Sequence, residues 1–154
     1  MRQGKYDLAI AELERAIELN PNDWPNYRYM GAVMLYAGNP EDSIRWYETS
    51  MTYDPYLTPG SFMNVGIAHF IQNRTVNAER WLKKCTSRWP DFLGCHIILT
   101  AVYGQTDRIE QAKEEATHIK RVSPLFRTEF YGIAFRNPDH RKKIIGGLHI
   151  AGVD

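Results

Sequence analysis

Residues 24–57 read WPNYRYMGAVMLYAGNPEDSIRWYETSMTYDPYL, and this stretch decides the fold. Tyr27, Met30, Gly31 and Met34 recur at helical spacing, Gly38-Asn39-Pro40 breaks the run, and Ser43, Tyr47 and Ser50 resume it. Two short helices joined by a tight turn are predicted. Pro40 then falls in the first turn of the second helix, where a missing N–H costs nothing. Outward from this stretch, Pro21, Pro55, Pro90 and Pro124 lie 34, 35 and 34 residues apart, and each closes a helix-like segment. The chain is therefore a repeat.

The same layout recurs from Pro59 to Phe92 and from Leu93 to Phe126. In the first of these, Phe62, Val65, Gly66 and His69 precede a turn near Asn73, and Ala78, Leu82 and Cys85 follow it. In the second, His96, Leu99, Thr100 and Tyr103 precede a turn at Gly104 to Asp107, and Ala112, Ala116 and Ile119 follow. Thr58-Pro59 reads as a helix cap followed by the first helical residue. Small residues recur in the second helices because two antiparallel helices must approach closely there.

This layout resembles the tetratricopeptide repeat, with Gly31, Gly66, Tyr47, Ala78, Ala112 and the four prolines in its pattern places. The resemblance covers residues 4–126; Ser43, Ser50, Cys85, Thr100 and Ile119 depart from the pattern in size. It implies an all-α, right-handed superhelix of antiparallel helix pairs. Residues 24–57, 59–92 and 93–126 are expected to be complete repeats. Residues 1–22 are expected to be the second helix of a truncated one, whose apolar side over residues 5–19 lacks its neighbour. That implies the C-terminal fragment of a longer protein. Residues 127–154 are expected to cap the solenoid through a helix that starts at Asn137-Pro138-Asp139 and carries Ile144, Ile145 and Leu148 on one face.

The ending resembles something narrower. Phe135-Arg136-Asn137-Pro138-Asp139, Arg141, Ile144 to Leu148 and Ala151-Gly152 look like the tail of the repeat regions of bacterial class III adenylate/guanylate cyclases. Similar tails occur in bacterial winged-helix regulators. This resemblance implies a larger signalling protein as parent.

In tetratricopeptide proteins the first helices line a concave groove that holds a peptide. Carried onto this chain, the groove residues include Arg28, Tyr29 and Tyr36 from the first repeat, Met63, Asn64, Ile67 and Phe70 from the second, and Ile97 and Gln105 from the third. These are the expected partner-binding residues. The set is mostly apolar, so a clamp for a carboxylate, which needs charged donors, is not expected. An apolar groove must be covered by a partner's helix, by another copy of the chain or by a segment of its own parent.

The remaining features exclude more than they assign. With 154 residues, 44% hydrophobic content and a net charge of +1, one compact unit with no strong pull toward nucleic acid or membrane is expected. Cys85 and Cys95 are too few for a disulfide framework and lack zinc spacing, which points to a reducing, cytoplasmic setting. His69 and His96 occupy core places. Trp46 and Trp81 hold equivalent places in neighbouring second helices, either as inter-repeat packing or as an aromatic patch for a second partner. The basic stretch from Arg136 to Lys143 reads as a solvated helix face. Paired carboxylates, a nucleophile elbow, HExxH and a phosphate loop are all missing from the sequence, so neither catalysis nor a cofactor is expected. The function expected is a non-catalytic protein–protein interaction scaffold, the C-terminal sensory or assembly module of a larger bacterial signalling protein, binding an apolar or amphipathic segment in its concave groove. Its alternatives are a homo-oligomerising module and the regulatory part of a nucleotide cyclase.

Overall fold

The computed structural model of the chain describes residues 3–154; Met1 and Arg2, which the first-helix reading includes, lie outside the described residues. The helices are α1 (Gln3–Leu19), α2 (Trp24–Ala37), α3 (Pro40–Tyr53), α4 (Pro59–Ile71), α5 (Thr75–Arg88), α6 (Leu93–Gln105), α7 (Ile109–Val122) and α8 (Pro138–Ile150). A single 3-10 turn, Thr128–Phe130, lies between the last two. No strand occurs among the described residues.

Local chemistry explains the boundaries. Pro21, Pro55, Pro90 and Pro124 each stand two residues past the end of a helix, where chain that cannot continue helical belongs. Thr58 caps α4 by accepting from the Ser61 amide at 3.3 Å, and Asn137 caps α8 by accepting from the Asp139 amide at 2.9 Å. The turn inside each helix pair passes through the left-handed region at Gly38, Asn73 and Asp107, with φ of 103°, 61° and 56°. Glycine, asparagine and aspartate are the residues that tolerate this region best.

The helices pair as α2 with α3, α4 with α5, and α6 with α7, while α1 packs on α2 and α8 packs on α6. The first helices form an inner layer and α3, α5 and α7 an outer one. A Cβ on Gly31 would meet the Tyr47 ring at 2.8 Å, and one on Gly66 would meet Leu82 Cγ at 2.7 Å. These two glycines let each inner helix lie against its outer partner. The core runs continuously from Leu35 and Ile44 through Leu82, Ile98 and Ile119 to Ile144, Leu148 and Val153.

Two expectations are corrected here. Cys85 and Cys95 are joined by a disulfide that ties α5 to α6, with their Cα atoms 6.3 Å apart. The inference of a reducing compartment rested on free thiols and loses that support. Gly104 is not a turn residue; it lies inside α6 and is buried.

A concave face partly filled by the chain itself as candidate functional site

The inner layer of α2, α4 and α6 curves around a concave face, and the C-terminal segment lies across it. Glycine against glycine seats α8 on α6. A Cβ on Gly147 would fall 2.7 Å from Ala101 Cα, and one on Gly104 would fall 3.0 Å from the Gly147 carbonyl carbon. The two backbones thus touch with no side chain between them. Around this contact Ile144 and Leu148 are fully buried, and Gln105 Nε2 donates to the Lys143 carbonyl at 3.1 Å. Lys143 extends over the Phe70 ring at 4.9 Å and donates to Asn73 Oδ1. Burial holds its ammonium pKa below the ordinary lysine range.

Residues 127–137 form a strap that continues across the groove toward the N-terminal helices. The Arg136 amide donates to the Tyr36 carbonyl at 2.8 Å, and the Phe135 ring packs 4.9 Å from the Tyr36 ring. Arg136 also pairs with Asp7 at 3.0 Å, and the Tyr6 hydroxyl donates to the Ala134 carbonyl. Arg141 ties the strap to α8 by donating to the carbonyls of Tyr131 at 2.8 Å and Glu129 at 2.7 Å. Between strap and inner layer a hollow of about 420 Å³ remains, walled by Tyr36, Met63, Phe92 and Gly94 on one side and Tyr131 to Phe135 on the other. Burial raises the phenol pKa of both Tyr36 and Tyr131.

The nine expected groove residues divide. Tyr29 is 52% exposed, and the Arg28 guanidinium sits beside it, 5.4 Å from its ring and 5.5 Å from the Trp24 ring. Tyr36 and Met63 are half-buried and line the hollow. Gln105 is exposed but committed to Lys143. The other four are corrected as a free surface, because Asn64, Ile67, Phe70 and Ile97 are all buried. Phe70 lies under Lys143, and Ile67 and Ile97 belong to the core. Asn64 Nδ2 donates to the Tyr47 hydroxyl at 2.8 Å, joining the first two complete helix pairs. Burial, opposed in part by that hydrogen bond, pushes the Tyr47 phenol up to about 12.

The residues that sequence reasoning missed are those of the strap and of the glycine contact. Gly146-Gly147 inside a helical pattern was the available signal, since glycine in a helix costs about 1 kcal/mol and implies close packing. The basic stretch is a solvated face only in part: Lys142 and Arg136 are exposed, yet Arg136, Arg141 and Lys143 each hold the strap or α8 in place. Trp46 and Trp81 do not stack on each other; each packs on its own inner helix, against Tyr27 at 5.9 Å and Phe62 at 5.3 Å. Among the described residues no group of three or more His, Cys, Asp or Glu could hold a metal ion, and no helix is long and apolar enough to cross a membrane.

Comparison with known proteins bears on the fold. Residues 1–23 match the family model of the tetratricopeptide repeat. Curated protein sequences yield no significant match. The crystal structure of MamA superposes with a TM-score of 0.72 at 19% identity, over 96% of this chain and 87% of that one. A structure of Pseudomonas aeruginosa pilF gives 0.70 at 17% identity, over 98% of this chain and 71% of that one. YrrB, described as a TPR protein with an unusual peptide-binding site, gives 0.66 at 14% identity, over 96% and 77%. The chain thus shares with these proteins the all-helical superhelix of antiparallel pairs.

Proposed function

We propose that this chain is a non-catalytic scaffold for protein–protein interaction, taking an apolar segment of a partner at the open end of its concave face. The observation that carries this reading is the strap: the concave face already holds an apolar segment of the chain itself, through aromatic packing and a main-chain hydrogen bond to Tyr36. Beside it, Arg28, Tyr29, Tyr36 and Met63 offer aromatic, thioether and guanidinium groups of the kind that anchor interfaces. A fold neighbour with a peptide-binding site, YrrB, adds general support.

The test is a selection of displayed random peptides on the full chain, followed by affinity measurements on variants. Met63→Asp and Tyr29→Asp should weaken the selected apolar peptides about tenfold or more, the scale of an interface anchor, with helical content retained. Peptides that bind both variants unchanged would remove the concave face from consideration. Phe70→Asp is unsuited to this purpose, since it places a charge in the core and tests folding instead.

In our reading the scaffold is the assembly module of a larger bacterial signalling protein, a view supported by the resemblance of the tail from Phe135 to Gly152. The mass of the native polypeptide in its source cells tests it, and a band at the chain's own 17.9 kDa would reject it. A second reading is self-association, favoured by Leu8 and Leu19 of α1, which are 62% and 77% exposed. Sedimentation across a dilution series decides this, since a mass that stays monomeric excludes it.

A further inference from the structure

The outer face carries a feature that the concave reading does not use. Between the end of α3 and the length of α5 lies an open hollow of about 760 Å³. Its floor is apolar, made by Met51, Leu57, Phe62 and the half-buried Trp81. Its rim is cationic. Helix α5 carries Arg80, Lys83, Lys84 and Arg88 against the single carboxylate of Glu79, which is itself engaged by Arg108 and Lys83. Among the described residues, Arg80, Lys84 and Arg88 form no ion pair; Lys84 lies 5.6 Å over the Trp81 ring and Arg88 5.0 Å over the Trp89 ring. In a chain whose net charge is only +1, this is a local concentration of unneutralised charge around half-buried aromatic side chains.

We propose that this hollow is a second docking site, built for a protein segment that presents one bulky apolar side chain flanked by Asp or Glu. The apolar side chain would sit on the half-buried Trp81 and Met51, over the buried Phe62 and Leu57. The flanking carboxylates would meet Arg80, Lys84 and Arg88, whose long stems let the charged heads follow a ligand, those of Lys84 and Arg88 moving from their places over the Trp81 and Trp89 rings. A peptide fits better than a small anionic amphiphile because the hollow is an open trough along α5: an alkyl chain laid there would stay in contact with water along one side. A peptide brings its anchor and its charges at separate points along the rim. The site lies in the outer helix layer, whereas Tyr36, Met63 and the strap lie on the inner one, so the two docking surfaces can fail independently.

The test uses the full chain and a panel of synthetic peptides with Leu, Phe or Trp at the centre and Asp and Glu on both sides. Matched versions carry Lys in place of the acids or Ser in place of the apolar residue. The Trp81 indole resonance reports the site. Acid-flanked apolar peptides should shift it, should bind about tenfold or more tighter than their Lys-flanked counterparts, and should weaken as salt is raised. The surface variant Arg80→Glu with Lys84→Glu should lose about tenfold in affinity, while Met63→Asp should leave it unchanged. The proposal is overturned if Lys-flanked and acid-flanked peptides bind alike, if no apolar peptide binds better than its Ser-centred version, or if binding follows Met63 and ignores the rim charges. Laurate shifting the Trp81 resonance where every peptide fails would equally overturn it, in favour of a small-amphiphile site.

Discussion

Alanine at Gly147 should destabilise the fold and alanine at Gly146 should not, although the two residues are neighbours in one helix. Both substitutions gain helix propensity, about 0.8–1.0 kcal/mol each. At Gly146 the new Cβ would meet only the Gln105 amide nitrogen, at 3.1 Å, the far end of a side chain that can swing away. Swinging away forfeits the Gln105 hydrogen bond to the Lys143 carbonyl, about 0.5–1.5 kcal/mol, which offsets the propensity gain, so Gly146→Ala should be close to neutral. At Gly147 the obstruction is backbone: Ala101 Cα and C stand at 2.7 and 2.8 Å from the Cβ position, where a packed contact needs well over 3 Å. Helices α6 and α8 would have to separate by roughly an ångström, which forfeits a quarter to a half of each dispersion contact around Ile144 and Leu148. Overpacking ordinarily costs about 1–3 kcal/mol, and an unyielding carbonyl puts this site at the upper end. After the propensity gain a net loss of about 2 kcal/mol remains, or roughly 4–8 °C in Tm for a chain of this size. Urea unfolding of the two variants gives the difference directly, and amide exchange along α8 locates it. Equal stability of Gly146→Ala and Gly147→Ala would mean that α8 is not seated on α6 through this contact.

Two further outcomes follow from groups outside the groove. Reducing the Cys85–Cys95 bond, whose partners are 10 residues apart, should lower unfolding stability by about 2–3 kcal/mol through the entropy of the freed loop; two thiols titrating in the unfolded protein without reductant would contradict the pairing. His96 has Glu115 Oε2 at 2.6 Å and the Pro90 carbonyl at 2.9 Å, and the hydrogen bond to Glu115 holds its pKa above the ordinary imidazole value. Because the folded pKa is raised, its contribution to stability is full below about pH 6.5 and is lost as pH rises through the folded pKa. His118, stacked on His96 at 4.0 Å, is shifted down by burial first and by the His96 charge second. NMR titration should therefore find His96 above and His118 below the unperturbed imidazole, with Glu115→Gln bringing His96 down; a wild-type His96 at or below that value would refute the pairing.

What the sequence disclosed and what it hid divide along one physical line. The period of the prolines, the left-handed turn residues and the contacts of Gly31 and Gly66 all belong to the repeat. Each instance confirmed the others, and the contacts are local. The Gly104–Gly147 contact joins a repeat to a segment outside it. Gly104 stands where the pattern turns, so a turn was the natural reading, and nothing in the spacing of Ile144 and Leu148 says which surface they meet. Counting inward positions leads to Tyr29, which is exposed, and to Arg28, Tyr36 and Met63, which are half-buried, the last two facing the strap. The same counting could not show that α8 covers Phe70, nor that Asn64 turns to Tyr47. The cysteine pair was hidden for a related reason: two thiols on successive helices meet only because the repeats stack.

The seating of α8 also decides which part of the concave face a partner can use. A ligand that needs the surface beneath α8 must first expose Ile144 and Leu148, both fully buried. Re-exposing two such side chains costs about 3–6 kcal/mol. That weakens apparent affinity by roughly two to four powers of ten, since the competent state is populated only in that proportion. The strap is held mainly by polar contacts: the main-chain hydrogen bond to Tyr36, the Tyr6 hydroxyl on the Ala134 carbonyl, Arg141 on the Tyr131 and Glu129 carbonyls and an exposed ion pair to Asp7, beside the packing of Phe135. An exposed ion pair contributes at most about 1 kcal/mol. A partner entering beside Tyr29 and Met63 therefore works against the strap alone, and the face it meets is the N-terminal half of the groove. It follows that Arg136→Ala, which removes the ion pair to Asp7 and keeps the main-chain bond to Tyr36, should strengthen binding at Tyr29 and Met63 by no more than about fivefold, the equivalent of about 1 kcal/mol; a weaker affinity in this variant would refute competition between strap and partner.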